Sequence, residues 1–479
     1  MRIGLRHIGE LGQSYLMKRV GLILSVVMLL MVGPLRAQVF TPEAFIQQVK
    51  QYHPVAKQAG IQVLKASADV QSARGGFDPV FTYEGSNKTF DGKNYYFYNN
   101  PELKIPTALG GLDIKTGLES NGGYYLNSEA SGAKTSYLGV EMPLGKGLII
   151  DKRRATMQQA KLFQSQSRQE QLKMLNDLLF TAYNAYWQWA GAYQLYSIYD
   201  RYYGIALNRL RLVKLAYQAG DRSAIDTIEA QTQVESFAAM RFEAAQKINY
   251  AELEISNYLW QENDSAYLLS KNYLPDTLQF VRNFQEQGLN DLLGKSVNEN
   301  PGLRSYEFKL NSLEVEKKLK FQSILPTVNV KANLLNKGYN VTKGVNGAFL
   351  ENNYKWGLDV KLPLFLREGR GDYNKAKLKI KETNLEFNAK KWETENKIRN
   401  YFNEANLLQQ QISNVQAAYN GYNALFRAEN LKFQNGESNL FLVNARENKL
   451  IETAEKLVNL RIKYFKAKYT SEWAAGLLR

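Results

Sequence analysis

From Leu172 the chain repeats apolar residues at alternating spacings of three and four: Leu175, Leu179, Ala182, Tyr186, Trp189, Tyr193, Tyr196, Tyr203, Leu207, Leu210 and Tyr217, broken by Asp200 and Lys214. That is coiled-coil spacing, sustained for over six heptads. A second apolar line, Ala185, Ala192, Tyr199, Ala206 and Val213, runs beside it. A helix with two adjacent seams touches a neighbour on each side and can pack edge to edge into a curved wall. The same breadth would serve a wide core face in an ordinary bundle. Length favours the wall: from about Asp151 to Ala219 there is neither proline nor a loop cluster. At 1.5 Å per residue this predicts roughly 100 Å of helix. A matching line follows later: Ile398, Tyr401, Ala405, Leu408, Ile412, Val415, Tyr419, Tyr422, Phe426 and Phe433. Gly220 and Gly436 then read as left-handed caps. Asp221 or Ser223, and Glu437 or Ser438, are expected to cap the returning helices.

Alternation of period two marks the strands. Phe81, Tyr83 and Gly85, then Leu138, Val140 and Met142, point to one face; later Val328, Val330, Ala332 and Leu334, then Trp356, Leu358, Val360 and Leu362, do the same. About ten residues of alternation suits a tilted transmembrane strand, although a soluble sheet packed on helices would alternate too. Tyr95, Tyr96, Phe97 and Tyr98, with Tyr124 and Tyr125, would fit an interfacial aromatic girdle. Two strands per copy make four per chain, too few to close a barrel alone. If they span a membrane, the chain must oligomerise so that no sheet edge faces lipid.

The landmarks recur. His53-Pro54 opens a helical run ending at Asp78-Pro79, and Asn300-Pro301 opens one ending at Leu325-Pro326, both proline pairs offset by 247. Val140 to Leu144, around Pro143, matches Val360 to Leu364, around Pro363, and Tyr217-Gln218-Ala219-Gly220 matches Phe433-Gln434-Asn435-Gly436. Four landmarks in one order indicate duplication. The first copy carries 27 extra residues between its prolines, expected in the hairpin loop. The predicted organisation is a first repeat over 38–262, with a helix, a strand hairpin near 77–143 and a helical hairpin near 151–262 with its tip at 220. A linker or equatorial segment follows over 263–290. The second repeat covers 291–479, with a strand hairpin near 326–363 and a helical hairpin near 369–475 with its tip at 436.

Composition narrows the class. Of 479 residues, 44% are hydrophobic and 22% charged, and no apolar run beyond the N-terminal region is long enough for a membrane helix. The 30 Tyr and 22 Phe suit surfaces that are half apolar and half wet. Residues 1–37 read as an export signal: Met17-Lys18-Arg19, the apolar stretch Val20 to Val32, and a small residue at Ala37. Met1 or Met17 could be the start. A cut after Ala37 lowers the net charge from +15 to about +11. An exported chain rarely meets nucleic acid, so the basic balance does not indicate a nucleic-acid partner.

Chemistry is sparse. There is no cysteine, which excludes disulfides and thiolate metal sites, and only two histidines, His7 and His53. His53 sits at a helix start where the second copy has Asn300, so no catalytic triad is indicated. There is no phosphate-binding loop; the glycines near Gly110 and Gly145 read as turns. No enzyme activity, metal or cofactor is expected.

From Thr41-Pro42-Glu43-Ala44 to Trp473-Ala474-Ala475-Gly476 the chain resembles the TolC-like outer membrane efflux protein family. The most specific stretch is the tip, Tyr217-Gln218-Ala219-Gly220-Asp221-Arg222-Ser223-Ala224-Ile225-Asp226-Thr227-Ile228-Glu229. The resemblance implies an α+β membrane protein with long antiparallel coiled-coil helices forming a periplasmic α-barrel. Its four strands per chain would contribute to a trimeric twelve-stranded β-barrel in the outer membrane. It implies partners: two further copies, outer-membrane lipid, a periplasmic adaptor and an inner-membrane pump of RND or ABC type. Asp226 and Glu229, three apart on one helix face, would constrict the pore as a three-fold acidic ring. Tyr217 and Arg222 match positions that tie neighbouring hairpins together. The turns at Gly220-Asp221 and Gly436-Glu437 would meet the adaptor. The family's better-known acidic gate lies in its second repeat, where this chain has Phe433, Ser438, Leu442 and Ala445. The rival class is an exported coiled-coil adaptor or scaffold, which usually has one long hairpin and a lipoyl-like β half.

Overall fold

The computed structural model describes residues 38–124, 133–280, 288–339 and 352–479. The expected export signal, Tyr125 of the aromatic group and part of the 263–290 segment lie outside them. Each half of the chain begins with an 11-residue helix, α1 (Pro42–Tyr52) and, later, α5 (Leu289–Glu299). A helix of 21 or 22 residues follows, α2 (Pro54–Arg74) and α6 (Pro301–Gln322). Proline opens α1, α2 and α6, where its missing N–H would have had no partner. Then come strands, and then a long helical hairpin: α3 (Lys152–Gln218) with α4 (Ala224–Ser256), and α7 (Arg367–Gln434) with α8 (Leu440–Ala475).

The chain forms two compact units. The first takes residues up to His53, Ala182–Phe284 and Leu408–Lys463. Its core gathers around Tyr186, Trp187 and Trp189 of α3, with Phe45 of α1 and Phe280, all 2% exposed or less. Fully burying one such ring stabilises by about 1.5–3 kcal/mol. Tyr186 Oη donates to the Phe40 carbonyl at 2.7 Å and accepts from the Asp276 amide at 3.0 Å. Burial pushes this phenol above its ordinary range, so it remains a protonated donor. Strand β1 (Gln38–Phe40) pairs in parallel with β6 (Tyr273–Pro275), which lies in the segment read as a linker or equatorial segment. Along α3 the first seam turns partly outward. Tyr186 and Trp189 of the first seam are buried, but Leu207 and Tyr217 are 42% and 48% exposed, whereas Ala206 and Val213 of the second line are 2% and 3% exposed. The second line is buried throughout, Ala185, Ala192 and Tyr199 included, and a straight helix drifts about 20° per heptad against a 3.5-residue repeat, which carries part of the first line outward.

The second unit takes Pro54–Thr181, Gln285–Leu407 and Tyr464–Arg479. Small apolar clusters hold its helices: Val70 and Ala73 against Ala160, Ile150 and Ala155 against Val315, and Leu292 and Ile398 against Ala474 and Ala475. Asn300, 9% exposed, caps α6 by accepting from the amides of Gly302 and Leu303, and its Nδ2 donates to the Ala474 carbonyl at 3.0 Å.

This unit also holds one antiparallel sheet of six strands, where four were expected. The strands are β2 (Val80–Phe90), β3 (Lys93–Pro106), β4 (Asp113–Gly122), β5 (Ala133–Pro143), β7 (Thr327–Lys337) and β8 (Tyr354–Lys361), paired in that order. The 27 additional residues of the first copy account for the difference. They supply a second hairpin instead of a longer loop, so β2 and β5 are separated by β3 and β4. The β2–β3 turn is Asp91-Gly92, with both residues left-handed (φ 52° and 67°), the twist a tight hairpin needs.

Candidate functional site

Two regions carry functional chemistry: the hairpin tips in the first unit and the sheet in the second.

At the tips, α3 and α7 end in the same closure. Gly220 (φ 82°) and Gly436 (φ 79°) are left-handed, and the following amides reach back five residues, Asp221 to the Ala216 carbonyl at 2.9 Å and Glu437 to the Lys432 carbonyl at 2.8 Å. The returning helices begin differently. Ser223 starts α4, its amide and hydroxyl both donating to the Asp226 carboxylate at 3.2 and 3.0 Å. In the second hairpin neither Glu437 nor Ser438 caps: Asn439 Oδ1 accepts from the Leu442 amide at 3.0 Å, while the Ser438 hydroxyl donates to Glu429 at 2.5 Å. One helical turn past Asp226, Glu229 accepts from Asn444 Nδ2 of α8 at 3.1 Å.

Arg222 joins the two tips. Its guanidinium lies 4.3 Å from the centroid of the Phe433 ring, and Nη2 donates to the Phe433 carbonyl at 3.3 Å. Tyr217, the counterpart of Phe433, is half exposed. Behind the tips lies an ion pair that the sequence reading missed. Arg209 of α3 grips Glu447 of α8 with Nη2–Oε1 at 2.7 Å and Nη1–Oε2 at 2.8 Å, and also donates to Asn444 Oδ1 at 3.0 Å. Glu447 is fully buried and Arg209 8% exposed. Glu229, Asn444, Glu447 and Arg209 thus form one hydrogen-bonded chain across α4, α8 and α3. The signal was present in the seam Leu440, Val443, Glu447, Leu450, Ala454, Leu457, where a carboxylate takes an apolar position.

The sheet has two faces, set by its register. Phe81 of β2, Leu103 and Ile105 of β3, Ile114 and Leu118 of β4, and Leu138 and Val140 of β5 share one face with Val328, Val330, Leu334, Trp356, Leu358 and Val360. Part of that apolar face is exposed, at Phe81 68%, Trp356 67%, Val360 59%, Leu358 56% and Leu138 46%, while Leu103, Ile105, Ile114, Leu118, Val328, Val330 and Leu334 are half-buried. Tyr95 and Phe97 join it near the β2–β3 turn, whereas Tyr98 turns to the opposite side. The opposite face is polar and closely bonded. Asp113 joins Lys104 at 2.8 Å and Arg153 at 2.8 Å, Glu141 joins Lys115 at 2.5 Å, and Tyr137 Oη donates to Glu102 at 2.7 Å. Tyr137 and Asp113 are only 8% and 7% exposed. Exposed apolar side chains on one face, with a polar face covered at its centre around Asp113, Asn121 and Tyr137, invert a soluble sheet and are what a transmembrane barrel requires. Among the described residues no helix is long and apolar enough to cross a membrane, and no side-chain cluster could hold a metal.

Long helical hairpins and a sheet with an apolar outer face are the fold of solved outer-membrane channels. Solved structures with this fold include VceC of Vibrio cholerae (TM-score 0.60, 14% identity, 91% of this chain and 96% of that one). The Campylobacter jejuni outer membrane channel CmeC gives 0.60 at 15% identity over 91% and 86% of the two chains. The open state of the Neisseria gonorrhoeae outer membrane channel MtrE gives 0.60 at 12% over 91% and 89%. No curated protein matches the chain. Residues 292–468 match the outer membrane efflux protein family, and over nine-tenths of its length the chain is similar in fold to these solved channels.

Proposed function

We propose that three copies of this chain assemble into a duct that conducts substrate through the outer membrane, receiving it from a periplasmic adaptor and an inner-membrane pump. The observation that carries this reading is the sheet's inverted polarity, with Trp356, Leu358 and Val360 exposed while Asp113 and Tyr137 are covered. A coiled-coil scaffold has no use for such a sheet, so the rival reading loses its footing. The helical tips are the end that docks the adaptor, through Gly220-Asp221 and Gly436-Glu437. Asp226 and Glu229 then line a three-fold constriction, and the Arg222–Phe433 contact holds the two tips of each copy together in the closed duct. The protein works by passage and electrostatic selection, without catalysis. The test is extraction followed by conductance. A barrel protein stays in the membrane through salt and carbonate, leaves in detergent as a heat-modifiable trimer, and opens discrete steps in planar bilayers. Release by carbonate with no channel activity would overturn the reading.

A further inference from the structure

The sheet points to a barrel larger than four strands per chain would build. One apolar stripe crosses all six strands on a single face, through Phe81–Leu103, Ile105–Ile114, Ile114–Val140, Leu138–Leu334 and Val330–Leu358. The added strands traverse the full width. β3 has 14 residues and β4 has 10, against about 9–11 for a tilted membrane strand. Their turn, Thr107 to Leu112, returns to the helical end of the sheet. There Asp113 meets Arg153, two residues into α3, at 2.8 Å, and left-handed Gly111 (φ 77°) lies against Pro143 and Gly147.

The added hairpin is also locked into the polar face. Glu102, Gly117 and Tyr137 stand in register on β3, β4 and β5. Tyr137 lies over Gly117, where a Cβ would come within 2.5 Å of its hydroxyl, and so reaches across β4 to Glu102. A hairpin destined for the outside of the barrel would not share its lumen-side bonds. That leaves two free edges, β2 and β8. β2 leaves the helical end and β8 returns to it, so the edges run antiparallel and each complements the other on a second copy. In lipid neither row of backbone groups can stay unpaired.

We propose that the barrel has eighteen strands, six from each of three copies, with β8 of one copy paired to β2 of the next. The proposal rests on the trimeric duct proposed above. At about 4.8 Å between strands and roughly 40° of tilt, twelve strands give a barrel about 24 Å across and eighteen give about 36 Å.

The chain lacks cysteine, so site-directed pairs are unambiguous. Native mass measurement of the detergent-extracted protein first counts the copies. Cysteines are then placed on the polar face of β8 (Lys355, Gly357, Asp359), combined with β2 (Thr82, Glu84, Ser86) or with β4 (Lys115, Gly117, Glu119). Lipid-phase quenching of a label at Phe81→Cys and Leu103→Cys gives an independent readout that needs no inter-copy register. A trimer with β8–β2 cross-links between copies, and quenching at both labels, is the expected result. A trimer with β8–β4 cross-links, or without quenching at Phe81 and Leu103, would overturn the eighteen-strand barrel and leave the duct standing. Any other copy number would overturn the duct and this inference with it.

Discussion

The two repeats share a frame and differ in what hangs on it. Helices of 11 residues open both, helices of 21 and 22 follow, and the long helices have 67 and 68 residues before left-handed Gly220 and Gly436. The first repeat adds a second strand hairpin and the tip residues Arg222 and Asp226, and its Tyr186 bonds two backbone groups. Its counterpart in the second long helix is Phe402. The frame rests on backbone constraints that only proline and glycine meet cheaply, so it tolerates little change. Side-chain chemistry is free to diverge: Arg222, Asp226 and Tyr186 act in the first repeat, and Asn300, Asn444 and Glu447 in the second.

The largest expected effect lies where the repeats meet behind the tips. Glu447→Ala strands the Arg209 guanidinium and should cost about 3–5 kcal/mol, whereas replacing both, Arg209→Met with Glu447→Leu, should recover most of the loss. Denaturant unfolding checks it; equal destabilisation of the single and double variants would contradict the account. Next, Tyr186→Phe leaves the Asp276 amide without its acceptor and should cost roughly 1–3 kcal/mol. The reverse change, Phe402→Tyr, should not stabilise, because Phe402 packs on the Leu292 and Ile398 cluster. Thermal melts of the two variants compare the repeats directly. Gly220→Ala and Gly436→Ala have open space around a new Cβ, so each should cost only the left-handed backbone term, about 1–2 kcal/mol. A clear inequality between them would break the shared frame. Smallest in energy, Arg222→Ala removes a contact worth roughly 0.5–1 kcal/mol. Single-channel recording should show longer openings.

The helices were legible because their punctuation is local. Pro54, Pro301, Gly220 and Gly436 state their roles through backbone geometry, and the seams state which faces pack. The extra hairpin was not, because Asn99-Asn100-Pro101 looks like a turn and proline is unwelcome inside a sheet. In the structure Pro101 faces Tyr83 of β2, and the β3–β4 register skips it. Asp91-Gly92 was the available clue to a tight turn. At the tips, Arg222 could be singled out from the sequence, but its partner Phe433 lies 211 residues away. The ion pair of Arg209 and Glu447 spans 238 residues and shows in the sequence only as a charge out of place in a seam.

In the proposed duct the apolar face of this sheet meets lipid and its polar face lines a water-filled lumen. A single-cysteine scan along β8 in reconstituted membranes, from Lys355 to Lys361, measures this directly with a lipid-soluble and an aqueous quencher. The account predicts strict alternation, with Trp356, Leu358 and Val360 quenched from lipid and Lys355, Gly357, Asp359 and Lys361 quenched from water. Aqueous quenching at every position would contradict it.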